Sequence, residues 1–278
     1  MELSVACNVT STIGMSIPPM ASHALVEFAA VPYCGAAPLP ADLWSRWNFD
    51  PWVIAALLAI ALVGFTRGRP DSRSRLALSA ALALMGIVFV SPLCALASGL
   101  FSARVAHHLL LIAAVAPLLA IVFAFRRADE SRGAGPMVSL TALTLGHAII
   151  VWVWHIPAPY LFALSSDVGY WLMQCSLLLS AYFFWRGVLS PRTSPGAAVL
   201  SLLGTMMQMG LLGALLVFAP RAVFTPHFGT TQPFGLTELQ DQQLAGLLMW
   251  VPAMLPYLAV ALATCAALLR KSETAAAR

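Results

Sequence analysis

The residues with the greatest chemical potential lie in one stretch, 101–119, which reads Phe-Ser-Ala-Arg-Val-Ala-His-His-Leu-Leu-Leu-Ile-Ala-Ala-Val-Ala-Pro-Leu-Leu. Arg104 and His108 are four residues apart, so a helix places them on one face, with His107 beside them. An ionisable side chain inside an apolar segment costs free energy and marks either a functional group or a paired structural one. We interpret these three residues as the centre of a candidate site.

Other polar residues within apolar segments extend this cluster. Tyr170 and Gln174 are also four residues apart, and therefore share a helical face. Asp241 begins the last apolar segment, and His155 ends an earlier one. Two further polar residues, Gln208 and His147, lie deeper in their segments.

The composition defines the elements that must position these side chains. The chain is 60% hydrophobic and only 9% charged, whereas a soluble domain is charged at roughly a quarter of its positions. Its apolar runs are continuous and do not alternate with polar residues, which favours helices over a barrel. The sequence therefore predicts an all-α, polytopic membrane protein whose surroundings are the lipid bilayer. The net charge of +4 does not indicate a nucleic-acid partner, because the basic residues lie in short loops.

Seven segments are long enough to span a bilayer, which needs roughly 20 residues as a helix. We expect an external tail over residues 1–48, a transmembrane domain over 49–270, and a cytoplasmic tail over 271–278. Pro252 and Pro256 are expected to kink the last span. The seven spans are roughly 50–66, 76–93, 101–125, 137–156, 168–189, 197–219 and 241–269.

The basic residues predict the orientation of these spans, because positive loops remain on the cytoplasmic side. Arg221 is the only Lys or Arg residue in the loops on the opposite side. This asymmetry predicts an external N-terminus and a cytoplasmic C-terminus. The loops and tail taken as cytoplasmic contain Arg67, Arg69, Arg73, Arg75, Arg126, Arg127, Arg132, Arg186, Arg192, Arg270, Lys271 and Arg278.

This orientation places most of the polar cluster in the outer third of the membrane, and two interpretations of it stay open. One is a structural cap in which Arg104 pairs with Asp241, as buried charges usually require. The other is a site that binds a metal, a cofactor or a client helix. Imidazoles and the methionines of 206–209 would suit copper. The histidines of this cluster are His107, His108 and His155, and its other polar residues are Arg104, Tyr170, Gln174, Gln208 and Asp241.

Several chemistries are excluded by what the sequence lacks. A retinal protein needs a lysine inside the membrane, and the only lysine is Lys271. The sequence contains no HExxH helix, no GxSxG elbow and no phosphate-binding glycine loop. These absences set aside a membrane metalloprotease, a hydrolase with a nucleophile elbow and a P-loop nucleotide-binding protein. Cys7 and Cys34 could pair if the N-terminal tail lies in an oxidising space, although spacing alone does not fix a pairing.

Several segments, in order along residues 44–265, resemble the polytopic CtaG family of cytochrome c oxidase assembly factors. The resemblance implies a bacterial inner-membrane protein that helps to assemble a haem–copper oxidase, with oxidase subunits or other assembly factors as partners. On this interpretation we do not expect an enzyme. A metal or small-molecule permease and a structural accessory subunit remain the alternatives. The similar segments are 101–117, 47–51, 154–157 with Tyr160, 184–185, 208–209, 241–246 and 249–250.

The chain departs from the family pattern at residues that would bind metal. The family carries a histidine where this chain has Arg104, and a second histidine pair where it has Tyr170 and Gln174. A metal site made of two HxxxH pairs is therefore incomplete. The resemblance leaves His107, His108 and His155, together with Asp241, as the residues that could bind copper or hold a client protein.

Overall fold

The computed structural model describes residues 31–68, 71–123 and 139–276, and within these ranges the chain contains helices and no strand. The prediction of an all-α protein is confirmed. The α-helices are α1 Pro51–Arg67, α2 Ser72–Phe89, α3 Leu93–Gly99, α4 Phe101–Val122, α5 Leu140–Val153, α6 Pro157–Ser165, α7 Asp167–Val188, α8 Pro195–Val217, α9 Glu238–Trp250 and α10 Met254–Ala276.

Helix starts follow from short polar residues that accept hydrogen bonds from the first free N–H groups. Asp50 caps α1, and proline occupies the first position of both α1 and α8. Thr237 and Gln240 form a reciprocal capping box at α9. The remaining side-chain caps are Asp71 on α2, Ser139 on α5, Ser166 on α7 and Ser194 on α8.

Four helical stretches of the described chain are long and apolar enough to cross a membrane: α2, α4, α8 and the combined α9–α10. A fifth span results if α5 and α6, which bend by 74°, cross as one unit. The remaining predicted spans correspond to α1, which is shorter, and α7, whose Tyr, Trp and Gln residues lower its hydropathy. Each of the seven predicted segments contains a helix, while the count of seven spans stays a prediction.

Some residues used in the sequence argument lie outside the described ranges, namely Cys7, Arg69, Arg126, Arg127, Arg132 and Arg278. The last segment is interrupted at Pro252, one of the two prolines expected to kink it, while the kink itself stays a prediction. Helix α9 ends at Trp250 and α10 begins at Met254, so Pro252 lies in the break between them. Pro256 falls in the first turn of α10, where a missing N–H costs no hydrogen bond.

Helix α4 is the central element of the bundle. Within its most apolar window 61% of the residues are buried, compared with 39% for α2 and for α8. Its first turns pack against α9, and its later turns pack against α2 and α7. A π-helical turn at Leu110–Val115 interrupts it, and the Ile112 carbonyl there accepts a hydrogen bond of 2.9 Å from the buried Trp185 indole. Such π-turns frequently occur beside functional residues.

Helices α8 and α9 approach closely through two glycines. A Cβ on Gly213 would lie 2.7 Å from the Gly246 carbonyl oxygen, and a Cβ on Gly246 would lie 2.5 Å from that of Gly213. Small residues at such crossings let helix backbones pack in a membrane, where hydrophobic burial does not drive association. The outward face of α8 carries large apolar side chains instead, including Leu200, Met207 and Leu211, as a lipid-facing surface requires.

The glycine crossing is testable by Gly213→Ala. We expect it to destabilise the protein by about 1–3 kcal/mol, because the added methyl meets a backbone carbonyl that cannot rotate away. Gly204→Ala in the same helix is the matched control, since a Cβ at Gly204 has no neighbour within 4 Å. The control should be neutral or slightly stabilising through helix propensity. Thermal unfolding in detergent measures both, and equal melting temperatures would rule out a tight crossing.

Candidate functional site

The candidate site is built around the break between α3 and α4. Leu100 is extended there, with φ −125° and ψ 131°, and α4 begins at the next residue. The first N–H groups of a helix have no partner within it. Asp241 of α9 accepts hydrogen bonds from the Phe101 N–H at 2.6 Å, the Ser102 N–H at 3.1 Å and the Ser102 hydroxyl. The carboxylate of Asp241, on another helix, therefore caps α4. Its negative charge is also stabilised by the partial positive charge at the N-terminus of α4.

Arg104 lies one turn into α4 and is fully buried. Its Nε donates a 3.1 Å hydrogen bond to the Ala97 carbonyl near the C-terminus of α3. Its guanidinium carbon lies 5.5 Å from the centre of the Tyr170 ring, within the range of a cation–π interaction. Among the described residues, the Nη1 and Nη2 atoms of Arg104 have no hydrogen-bond partner.

The predicted ion pair between Arg104 and Asp241 is therefore wrong. Asp241 is bound to the N-terminus of α4, and Arg104 is bound at the C-terminal end of α3. Each charge meets the helix end of opposite partial charge. The C-terminus of α3 and the N-terminus of α4 therefore stabilise these two charges in place of a direct ion pair between Arg104 and Asp241.

The three predicted metal ligands lie near one another and are buried. The ring centres of His107 and His108 are 5.8 Å apart, and those of His108 and His155 are 6.3 Å apart. Neither ring nitrogen of His108 has a hydrogen-bond partner within the described chain. His155 Nδ1 donates to the Val151 carbonyl at 2.7 Å, which leaves Nε2 as the nitrogen with the lone pair.

These rings form a row and do not converge on one point. Across the three described ranges, no group of three or more His, Cys, Asp or Glu side chains is arranged to hold a metal ion. Asp241 is engaged as a helix cap. Copper binding by the three histidines stays a prediction, and a metal that binds there would require the rings to adjust.

Of the supporting residues, the structure brings only some into the cluster. Tyr170 is buried beneath Arg104, and Gln174 is buried with both amide atoms unpartnered among the described residues. Gln208 instead accepts a 2.8 Å hydrogen bond from the Trp152 indole, and so links α8 to α5. His147 also lies apart, with Nδ1 3.0 Å from the Ser180 hydroxyl.

The loop 218–237 contributes residues that the sequence argument missed. The Tyr160 hydroxyl and His227 Nε2 share a 2.6 Å hydrogen bond, and Phe224 stacks on Phe101 at 3.8 Å. Burial, followed by the positive charge of Arg104, lowers the pKa of His227 to about 3. His227 is therefore neutral at physiological pH. A single histidine in a loop has no spacing signal that would place it beside α4.

The segment 31–50 covers another side of the cluster. Cys34 forms a disulfide with Cys94 of α3, so it does not pair with Cys7 as the sequence had left open. The Tyr33 ring stacks on Tyr170 at 4.6 Å, and the Tyr33 hydroxyl donates a hydrogen bond to Asp50. The disulfide was not predictable because Cys94 lies 60 residues away along the chain.

Apolar helices with lipid-type outer faces, surrounding one buried polar cluster, define a polytopic membrane protein with a polar interior site. The sequence model of the cytochrome c oxidase caa3 assembly factor family (Caa3_CtaG) matches residues 56–271, which is most of the chain. The protein belongs to this family. No curated protein and no solved structure matches the chain.

The trans-cap is testable by a double-mutant cycle on Asp241 and Ser102. Asp241→Ala leaves two N–H groups and one hydroxyl unpaired, and we expect a loss of about 1–3 kcal/mol in unfolding free energy. Ser102→Ala alone should cost less. The two losses should be non-additive because both substitutions remove the same hydrogen bond.

Ser98→Ala serves as the matched control, since the Ser98 hydroxyl is buried without a partner in the described chain. Removing an unsatisfied hydroxyl should be neutral or stabilising. Strictly additive losses for Asp241 and Ser102, measured by unfolding in mixed detergent, would show that the two side chains act independently.

Proposed function

We propose that this protein is a non-catalytic maturation factor for a haem–copper oxidase, and that it acts through the polar cluster on α4. Membership of the caa3 assembly factor family supports an assembly role. The observation that carries the use of this particular site is the buried imidazole of His108, neither of whose nitrogens has a hydrogen-bond partner among the described residues. Buried polar groups are normally satisfied, and an exception needs an explanation such as ligand binding.

The proposal includes seven spans in the bacterial inner membrane, with an external N-terminus and a cytoplasmic C-terminus. The basic loops support this orientation through the positive-inside rule. It puts the N-terminal turns of α4, the loop 218–237 and the segment 31–50 on the outer side. The cluster would then face the compartment in which an oxidase subunit presents its externally exposed segments to an assembly partner.

Copper is the cargo that the donor set favours. Imidazole in its neutral form is a ligand for copper, and His107, His108 and His155 each offer a nitrogen lone pair. Arg104 adds a positive charge nearby, which opposes a bound cation. A site with neutral ligands and a neighbouring cation should hold copper weakly, and weak holding suits a factor that passes its cargo to an oxidase subunit or to another assembly factor.

The test uses a deletion strain complemented with histidine variants. We expect His108→Ala and His155→Ala each to lower oxidase activity, and the copper content per oxidase molecule, by several-fold. His147→Ala is the matched control, because His147 is buried but lies outside the cluster and is bonded to Ser180. Arg104→His should raise copper retention by the purified protein, because it removes the repelling charge and adds a ligand four residues from His108.

Immunoblots must show that every variant accumulates to the wild-type level. Normal oxidase copper in His108→Ala and His155→Ala, together with unchanged copper retention in Arg104→His, would reduce the cluster to a structural cap. Copper flux into reconstituted vesicles would favour a permease instead. Stable co-purification with the mature oxidase would favour an accessory subunit.

A further inference from the structure

The two cysteines of the disulfide between Cys34 and Cys94 differ in their burial and in the backbone that carries them. Cys34 belongs to a turn closed by a 2.7 Å hydrogen bond from the Gly35 N–H to the Pro32 carbonyl, with Gly35 in the left-handed region at φ +88°. Cys34 is only partly buried, whereas Cys94 is fully buried. Cys34 is thus the more exposed half of the bond, so its sulfur is the one assigned to attack by an incoming thiolate, with Cys94 as the leaving group.

The Tyr170 hydroxyl lies within hydrogen-bond range of both sulfurs, and the Asn48 amide lies within range of the Cys94 sulfur. The Tyr170 hydroxyl oxygen lies 3.6 Å from Cys34 Sγ and 3.9 Å from Cys94 Sγ. Because a disulfide sulfur carries no proton, the hydroxyl must be the donor in both contacts. The Asn48 amide nitrogen lies 3.9 Å from Cys94 Sγ, and that amide is oriented by a 3.1 Å hydrogen bond to the Phe89 carbonyl.

A positive charge stands behind the tyrosine. The Arg104 guanidinium lies over the Tyr170 ring, and Arg104 has no carboxylate partner among the described residues. Donors and a nearby cation stabilise thiolates far more than they stabilise a neutral disulfide. The surroundings therefore suit the reduced pair of cysteines as well as the oxidised one.

We propose that Cys34 and Cys94 form a second, redox-gated site that binds Cu(I) as a pair of thiolates when the disulfide is reduced. Thiolate is a soft ligand that favours Cu(I), as well as Zn(II) and iron–sulfur clusters, and copper is the metal of the function proposed above. This inference deepens and rests on the proposed copper-handling function, and it adds a sulfur site that Tyr170 connects to Arg104. It also explains why a buried cysteine, a tyrosine and an arginine meet at one point.

The chemistry balances with a dithiol reductant supplied by a protein on the same side of the membrane. One reductant thiolate attacks Cys34 Sγ and forms a mixed disulfide, while Cys94 leaves as a thiolate beside Tyr170 and Asn48. The second reductant thiol then displaces Cys34, so the reductant is oxidised to a disulfide and two electrons reach the cysteine pair. Binding of Cu(I) by both sulfurs releases the remaining thiol protons.

The direct test is a Cu(I) titration of the full-length protein in detergent under anaerobic conditions, against a chromophoric Cu(I) chelator. The protein is compared before and after reduction with a phosphine that is then removed. Reduced wild type should bind about one more Cu(I) per chain than oxidised wild type, as a two-thiolate site predicts. Because this comparison uses wild-type protein only, it does not depend on whether a cysteine variant folds.

Variants then assign the site. Cys34→Ser and Cys94→Ser should each abolish the additional Cu(I). The double variant Cys175→Ser with Cys265→Ser is the matched control and should retain it, because those two free cysteines are exposed on α7 and partly exposed on α10. Tyr170→Phe should retain both thiols but shift their alkylation by iodoacetamide to higher pH. The substitution removes the hydroxyl that donates a hydrogen bond to the thiolates, so they form less readily.

His108→Ala separates this inference from the function proposed above. It should leave the reduction-dependent Cu(I) unchanged even where it impairs oxidase maturation. The inference is overturned if the disulfide resists reduction in the folded protein, or if the reduced chain binds no more Cu(I) than the oxidised chain. In either case the bond serves only to hold the segment 31–50 against α3.

Discussion

A helix that begins inside a bundle must find partners for its first N–H groups, and this constraint organises the whole protein. The chain breaks at Leu100 between α3 and α4, at a place that is buried from solvent. Asp241 satisfies the N–H groups that α4 exposes, and Arg104 donates to a carbonyl near the end of α3. Two charges are thus buried without an ion pair between them, because each is stabilised by a helix terminus.

The rest of the site depends on this arrangement. The cap fixes the rotation of α4, and with it the row formed by His107, His108 and His155. The same region receives the loop 218–237, whose Thr230 hydroxyl donates a 2.6 Å hydrogen bond to the Gly99 carbonyl. It also receives the disulfide-linked segment 31–50 through Tyr33 and Tyr170. Nitrogen donors and a sulfur pair consequently lie at the same end of the molecule, which is the basis for proposing that copper passes through it.

The sequence predicted the features that depend on local patterns. The break at Pro252 and the polar start of α4 follow from residue type and spacing. The family was also identifiable from the ordered motifs, and the family match confirms it. Contacts between segments that are distant along the chain could not be predicted in this way. Charge counting paired Arg104 with Asp241 because it ignored the helix termini, which carry partial charges of their own. It could not reveal the short helix α3 that supplies one of those termini.

Two further residues show the same limit. Cys94 stands alone in an apolar stretch, and only the fold brings Cys34 to it across 60 residues. His227 lies in a loop whose path over Phe101 depends on aromatic stacking with Phe224. Neither residue lies at a helical spacing from one of the predicted site residues, so the sequence pattern does not indicate its role. Side chains that act through long-range packing are therefore the ones that sequence spacing misses.

The proposed function requires the cluster to face the outer compartment, and the accessibility of single free cysteines in the full-length protein tests this directly. Phe228→Cys and Gly196→Cys, each made in a chain with Cys7, Cys175 and Cys265 replaced, place one exposed thiol in the loop that follows α8 and one in the first turn of α8. A membrane-impermeant maleimide applied to intact spheroplasts should label the thiol at position 228, and should label the thiol at position 196 only after the membrane is opened. Labelling of position 196 but not of position 228 in intact spheroplasts would place the cluster on the cytoplasmic side and contradict the proposed function.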